Sequence, residues 1–214
     1  MTHITVFDCE YLTAEGAMQS RWCGPHDPDP CVAQIGSVRL SLDPGYEILE
    51  TQSLLISTLD RLGRQSILDP YFIDLTGIQP ARIEREGVPL EEALRAFSTF
   101  SEGGSIWSWG KDELNLLAVS CYIANVTPII PAHRFGNAME ILMKAGLTRE
   151  ATLKTTSGEL ADFYKLPGLP RRHHDALDDA MSIALALQHL LRVGKLSPED
   201  FSKPAPQAGK DPVG

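Results

Sequence analysis

Ile4-Thr5-Val6-Phe7-Asp8-Cys9-Glu10 is a short apolar, β-branched run that ends in two carboxylates. The run predicts a buried strand over Ile4–Asp8. Side chains alternate along a strand, so Asp8 and Glu10, two residues apart, face the same way. Two carboxylates at the C-terminal edge of a strand suit a hard cation such as Mg²⁺ or Mn²⁺. A solvated strand end would show the same pair, so the rest of the chain has to decide.

Beyond this strand, a Gly-, Pro- and Asp-rich stretch from about Thr13 to Pro30 reads as a long loop. Cys31–Leu40 and Tyr46–Ile56 read as two strands joined at the turn signal Asp43-Pro44-Gly45, a hairpin. Weaker helical signals follow at Asp69–Leu75 and Gln79–Arg85. A clearer helix starts at Pro89, with Leu90, Ala93, Leu94 and Phe97 in i, i+3, i+4, i+7 spacing, and ends at Gly103-Gly104. Ser105–Trp109 reads as a fourth strand, and Asp112 as the cap of a helix running to about Ala124. Ile129–Phe135 reads as a fifth strand broken by Pro131, and Gly136–Ala145 and Ser157–Tyr164 as helices. A long helix runs from about Asp175 to Gly194. A hairpin followed by alternating helices and strands predicts one α/β domain with a mixed sheet over 1–202, and the Pro-, Gly- and Lys-rich 203–214 a disordered tail.

The long final helix is preceded by Arg171-Arg172-His173-His174 and opens with Asp175, Asp178 and Asp179. Ala180, Ile183, Ala184, Leu187 and Leu191 form its apolar stripe. Asp179 lies one turn before Ile183 at the stripe's edge, so its carboxylate points toward the sheet, while Asp178 is turned by about 100° away. An acid facing a core is costly unless paired or metal-bound. The helix dipole accounts for acids in a first turn, but not for two histidines before them. A third acid follows the fourth strand in Ser108-Trp109-Gly110-Lys111-Asp112-Glu113, at the strand edge where open α/β sheets collect ligands. Asp112 and Glu113 compete for the position. Asp112 is preferred because it keeps a Ser-x-Gly-x-Asp pattern and places Leu116 four residues on.

In this order, Phe7-Asp8-Cys9-Glu10, the acid after the fourth strand and the His-x-x-x-x-Asp spacing before the last helix resemble the DEDDh 3′–5′ exonucleases. Val32-Ala33-Gln34-Ile35-Gly36-Ser37-Val38, Leu75-Thr76-Gly77-Ile78 and Arg172-His173-His174 with Asp178-Asp179-Ala180 resemble the histone-mRNA-exonuclease-like and sporulation-inhibitor-like branch. The resemblance covers about Ile4 to Val193. It implies a ribonuclease-H-like fold, a five-stranded mixed sheet with helices on both faces. It implies that Asp8, Glu10, Asp112 and Asp179 hold two divalent metal ions, Mg²⁺ or Mn²⁺, and that His174 is the general base. Four gathered carboxylates repel one another and two dications cancel that charge. His173 with Asp178 has the same spacing as His174 with Asp179; the family's Asp-Ala-x-x-Ile-Ala continuation and the helix face both select the second pair.

The implied reaction is stepwise hydrolysis of single-stranded RNA or DNA from its 3′ end, releasing nucleoside 5′-monophosphates. Tyr11, Leu12, Thr76 and Ile78 are candidates for contact with the terminal nucleotide, with ordinary packing the competing reading. Trp22 and Trp109 are candidates for base stacking, and Arg21, Arg171 and Arg172 for phosphate contacts. A formal net charge of -9 argues against broad, non-specific nucleic-acid binding but not against holding a few nucleotides through metal ions. Cys9, Cys23, Cys31 and Cys121 suggest no disulfide framework. Cys23, His26 and Cys31 lack a second zinc-binding half and read as a plain loop. No signal peptide and no membrane-spanning run is visible, so a cytoplasmic enzyme with reduced thiols is expected. Many members of the family are dimers, which leaves a homodimer open, although no helix shows a seam for it. A catalytically inactive nucleic-acid-binding module and a small-substrate phosphohydrolase are the competing functions. The five expected catalytic positions speak against the first, and Asp8-Cys9-Glu10 in place of Asp-x-Asp against an aspartyl-phosphatase form of the second.

Overall fold

The computed structural model describes residues 2–167 and 172–202, so the expected 203–214 tail lies outside the described residues. Five strands form one sheet: β1 (His3–Tyr11), β2 (Val32–Ser41), β3 (Ile48–Leu55), β4 (Ser105–Ser108) and β5 (Phe135–Asn137). Their order is β3-β2-β1-β4-β5. β1–β2 and β2–β3 pair antiparallel, β1–β4 and β4–β5 parallel. The helices are α1 (Ala17–Ser20), α2 (Pro70–Thr76), α3 (Pro80–Glu86), α4 (Leu90–Phe100), α5 (Asp112–Ile123), α6 (Ala138–Lys144), α7 (Arg149–Lys154), α8 (Leu160–Phe163) and α9 (Ala176–Arg192). This is the expected ribonuclease-H-like architecture.

The two faces of β1 explain the layering. Ile4 and Val6 join Val38, Leu40, Trp107 and the α9 stripe Ala180, Ile183, Ala184, Leu187 and Leu191 in one core. Phe7 and Cys9 point the other way and pack with Leu94 and Phe97 of α4 and Leu116 and Leu117 of α5. Asp8 and Glu10 continue the row of Ile4 and Val6, so they arrive on the α9 side. The row facing α9 on β2 is modified where the helix starts. Gly36 pairs with Asp8, and a Cβ there would lie 2.1 Å from the carbonyl carbon of Ala176. Its absence lets the α9 N-terminus rest on the sheet beside the two acids. Gln34, paired with Glu10, accepts the Ala176 N–H at 3.2 Å and donates to Asp175 at 3.3 Å.

Three expectations change. β1 runs to Tyr11 rather than Asp8, because β2 continues to pair through Glu10 and Tyr11. The fifth strand is Phe135–Asn137, not Ile129–Phe135: after Pro131 the chain turns through a 3-10 helix at Ala132–Arg134 before it can pair with β4. α8 covers only Leu160–Phe163, because the segment before it forms a turn tied to α9. Helix α7, capped by Thr148, is too short for sequence periodicity to announce. Among the described residues, no helix is long and apolar enough to cross a membrane.

Candidate metal centre

Four carboxylates are buried near the C-terminal end of β1: Asp8 at 6% exposure, Glu10 at 7%, Glu113 at 8% and Asp179 at 7%. Three elements deliver them. β1 brings Asp8 and Glu10, the first turn of α5 brings Glu113, and the first turn of α9 brings Asp179. The α9 start is fixed by Asp175, whose side chain accepts the Leu177 N–H at 3.0 Å and the Asp178 N–H at 3.4 Å. Asp178 stays outside the cluster and accepts the Arg172 N–H at 2.7 Å.

Asp112, the expected third acid, is exposed, and its neighbour Glu113 is the buried acid that faces Asp8. α5 begins one residue earlier than expected, with Lys111 as the cap and Asp112 already helical. Glu113 therefore falls on the row Glu113, Leu116, Leu117 and Ser120 that α5 buries, while Asp112 is rotated off it.

The electrostatics are those of uncompensated negative charge. Burial, then Glu113, Asp179 and Glu10, hold the Asp8 carboxyl well above the ordinary carboxylate range. Burial, then Asp179 and Asp175, push Glu10 up to about 8 against the nearby Arg172 guanidinium. Burial raises Glu113 to about 7, opposed by its own backbone N–H and the Ser108 hydroxyl. Burial raises Asp179 to about 6, opposed by His173 and by the His174 backbone N–H. Glu113 Oε2 is buried with no hydrogen-bond partner. Buried acids with raised pKa values and an orphaned oxygen are the donor set that divalent cations satisfy, so these residues fit the implied metals.

The two histidines flank Asp179. Ligand atoms of Glu10, His174 and Asp179 all lie within 4.8 Å of one another. His174 adopts φ 61°, a left-handed turn that hangs its ring toward the acids. Partial desolvation, then His173, lowers its pKa, which favours the neutral imidazole. His173 also lies near Asp179, with Nδ1 close to Gly158 and its charge felt by Glu159. Arg172 donates to the Thr76 carbonyl, passing over Gly77, whose φ of 68° and missing Cβ leave it room. Arg171 lies outside the described residues.

The other candidates divide. Leu12, Thr76 and Ile78 are buried, and Leu12 and Ile78 share a core with Phe72 and Ile83. The Thr76 hydroxyl is occupied locally: it donates to Phe72 O at 2.9 Å and accepts the Ile78 N–H at 3.1 Å. Tyr11 stays half-buried beside the acids, its ring 5.6 Å edge-on from Trp22. Trp109 packs against the α9 core, and Arg21 is exposed. Cys23 is an exposed free thiol and Cys31 a buried one, and no metal-ligating group of three includes either among the described residues. Sequence reasoning did not single out Ser157, whose hydroxyl opposes the rise in the Asp8 pKa, or Gly158 beside Asp179.

The order and directions of the strands, with acids collected where β1 ends, define a ribonuclease-H-like fold. Among solved structures with this fold, the nuclease domain of 3′hExo, a DEDDh family member bound to rAMP, superposes with a TM-score of 0.71 at 17% identity, covering 95% of this chain and 96% of that one. A full-length 3′-exonuclease gives 0.69 at 18% identity, covering 90% of this chain and 61% of that one. Exonuclease I of E. coli in complex with a dA16 oligonucleotide gives 0.60 at 14% identity, covering 94% of this chain. This chain spans under two thirds of the full-length 3′-exonuclease and 42% of exonuclease I. No protein-family profile and no curated protein sequence matches the chain.

Proposed function

We propose that this protein is a metal-dependent 3′–5′ exonuclease acting on single-stranded RNA or DNA. The observation that carries the reading is the cluster of four buried, mutually repelling carboxylates with an orphaned Glu113 oxygen. The fold it shares with structures of 3′-exonucleases supports the same reading. Asp8, Glu10, Glu113 and Asp179 would hold two divalent ions, Mg²⁺ or Mn²⁺. When bound, these supply the positive charge that activates a water and stabilises the leaving 3′ oxygen at phosphorus.

The protein's own residues do the rest. His174, neutral at working pH, takes the proton from the attacking water through its imidazole nitrogen. The Arg172 guanidinium, held by the Thr76 carbonyl beside Glu10, offers remaining donors to a phosphate oxygen. Tyr11, the one of the four candidate contact residues left with exposed surface, borders the terminal nucleotide.

The test is incubation with 5′-labelled RNA and DNA oligonucleotides, with and without chelator, alongside nitrophenyl phosphate. The expected result is a ladder shortening from the 3′ end with release of nucleoside 5′-monophosphates, blocked by a 3′-phosphate and stopped by chelator. Intact oligonucleotides with hydrolysed nitrophenyl phosphate would replace this reading by a small-substrate phosphohydrolase. Binding without hydrolysis of either would leave a recruiting module.

A further inference from the structure

The turn between α7 and α8 takes no part in the expected site, yet it reaches two of the four acids. Gly158 is buried and packs directly on Asp179. A Cβ at this position would lie 2.3 Å from Asp179 Oδ1, 3.1 Å from its Cγ and 3.0 Å from His173 Nδ1. The backbone of Gly158 is not in the left-handed region, so alanine meets no conformational barrier there. Unlike Gly36, whose Cβ would strike helix backbone, a Cβ at Gly158 has its three nearest neighbours on two site side chains, Asp179 and His173.

The turn cannot retreat from such a contact. Ser182, fully buried on α9, donates to Gly158 O at 2.9 Å and accepts the Ala161 N–H at 3.0 Å. Glu159 folds back to accept from the Thr156 N–H at 2.9 Å and the Thr156 hydroxyl at 3.0 Å. Leu160 is anchored in the α9 core with no exposed surface. Any crowding at residue 158 is therefore relieved by moving Asp179 and His173.

We propose that Gly158 is a positioning residue: held against α9 by Ser182, it leaves the space in which the Asp179 carboxylate turns toward Asp8, Glu10 and Glu113. This inference rests on the metal-dependent reading above. The adjoining Ser157 hydroxyl lies near enough to Asp8 to oppose the rise in its pKa, which brings the same turn to a second acid.

The test compares Mn²⁺ affinity, measured by calorimetry and electron paramagnetic resonance, in wild type, Asp179→Asn, Gly158→Ala and Ser182→Ala, with melting temperature and near-UV circular dichroism followed in chelator. Gly158→Ala is expected to weaken Mn²⁺ binding by about 10- to 100-fold while its fold signals stay those of wild type. Ser182→Ala, which frees the turn, is expected to weaken it by several-fold, and the double variant to bind better than Gly158→Ala because the turn can then yield. Mn²⁺ affinity within about twofold of wild type in both single variants overturns the inference. If Gly158→Ala does not fold, Ser182→Ala decides alone. Wild type that binds no Mn²⁺ overturns the metal-dependent reading itself, and wild type that binds while Asp179→Asn binds equally well removes Asp179 from the site. Both outcomes are distinguishable from a failure confined to Gly158.

Discussion

Helices α5 and α9 begin alike and show how much one residue of register matters. Each carries two adjacent acids in its first turn, Asp112-Glu113 and Asp178-Asp179, and in each the second acid is buried among the site residues while the first is more exposed. In α9 the apolar residues Ala180, Ile183, Ala184 and Leu187 lie on one face, so the stripe itself points to Asp179. In α5 the apolar residues surround the helix. Leu116 and Leu117 are buried, but Val119 is 36% and Tyr122 87% exposed. Such a helix gives no stripe from which to choose between Asp112 and Glu113. Burial by tertiary contact made the choice.

The largest expected effect tests this parallel directly. Asp179→Asn and Glu113→Gln should each reduce single-turnover cleavage of a short oligonucleotide by about a thousandfold. Similar losses from Asp112→Asn and Glu113→Gln would erase the distinction between inner and outer acids in α5. A second effect sharpens the difference between the helices, because only α9 is preceded by histidines. His174→Asn should lower turnover by about 10²- to 10⁴-fold with oligonucleotide binding in Ca²⁺ retained, while His173→Ala keeps most activity. A dead His173→Ala with a normal His174→Asn would reverse the base assignment.

A smaller effect is read in stability. Glu10, Glu113 and Asp179 have folded-state pKa values raised to about 8, 7 and 6. The folded chain thus holds more protons than the unfolded chain between about pH 4 and pH 8, so stability falls as pH rises through that window. In chelator the melting temperature should drop by several degrees from pH 5 to pH 8, and Glu113→Gln should shrink the drop, as followed by circular dichroism. A drop unchanged in Glu113→Gln would remove that acid from the cluster. The smallest effect is Asp112→Asn, which should leave turnover within about twofold, since the side chain is exposed.

Most of the fold was legible because its strands alternate cleanly. The row Ile4, Val6, Asp8, Glu10 placed both β1 carboxylates on one face, and the hairpin turn at Asp43-Pro44-Gly45 set the β2–β3 pairing. The edge strand β5 was misplaced because Ile129 and Ile130 look more strand-like than Phe135-Gly136-Asn137, yet only the latter reach β4 after the turn forced by Pro131. In the site, Asp8, Glu10 and Asp179 were readable from local period. Glu113, Ser157 and Gly158 were not, because their environment is made by segments far away in sequence.

That distance has a consequence for how the molecule comes into being. Asp8 lies on the first strand and Asp179 on the last long helix, and α9 packs on β1 and β2 as the final layer of the sheet. A chain still emerging from the ribosome displays the β1 acids long before α9 exists to close over them. Contacts of such long sequence separation form late. The four acids can therefore converge only after nearly the whole described chain has been made, and a nascent fragment that ends before α9 carries three of them, Asp8, Glu10 and Glu113, without the Asp179 that completes the cluster.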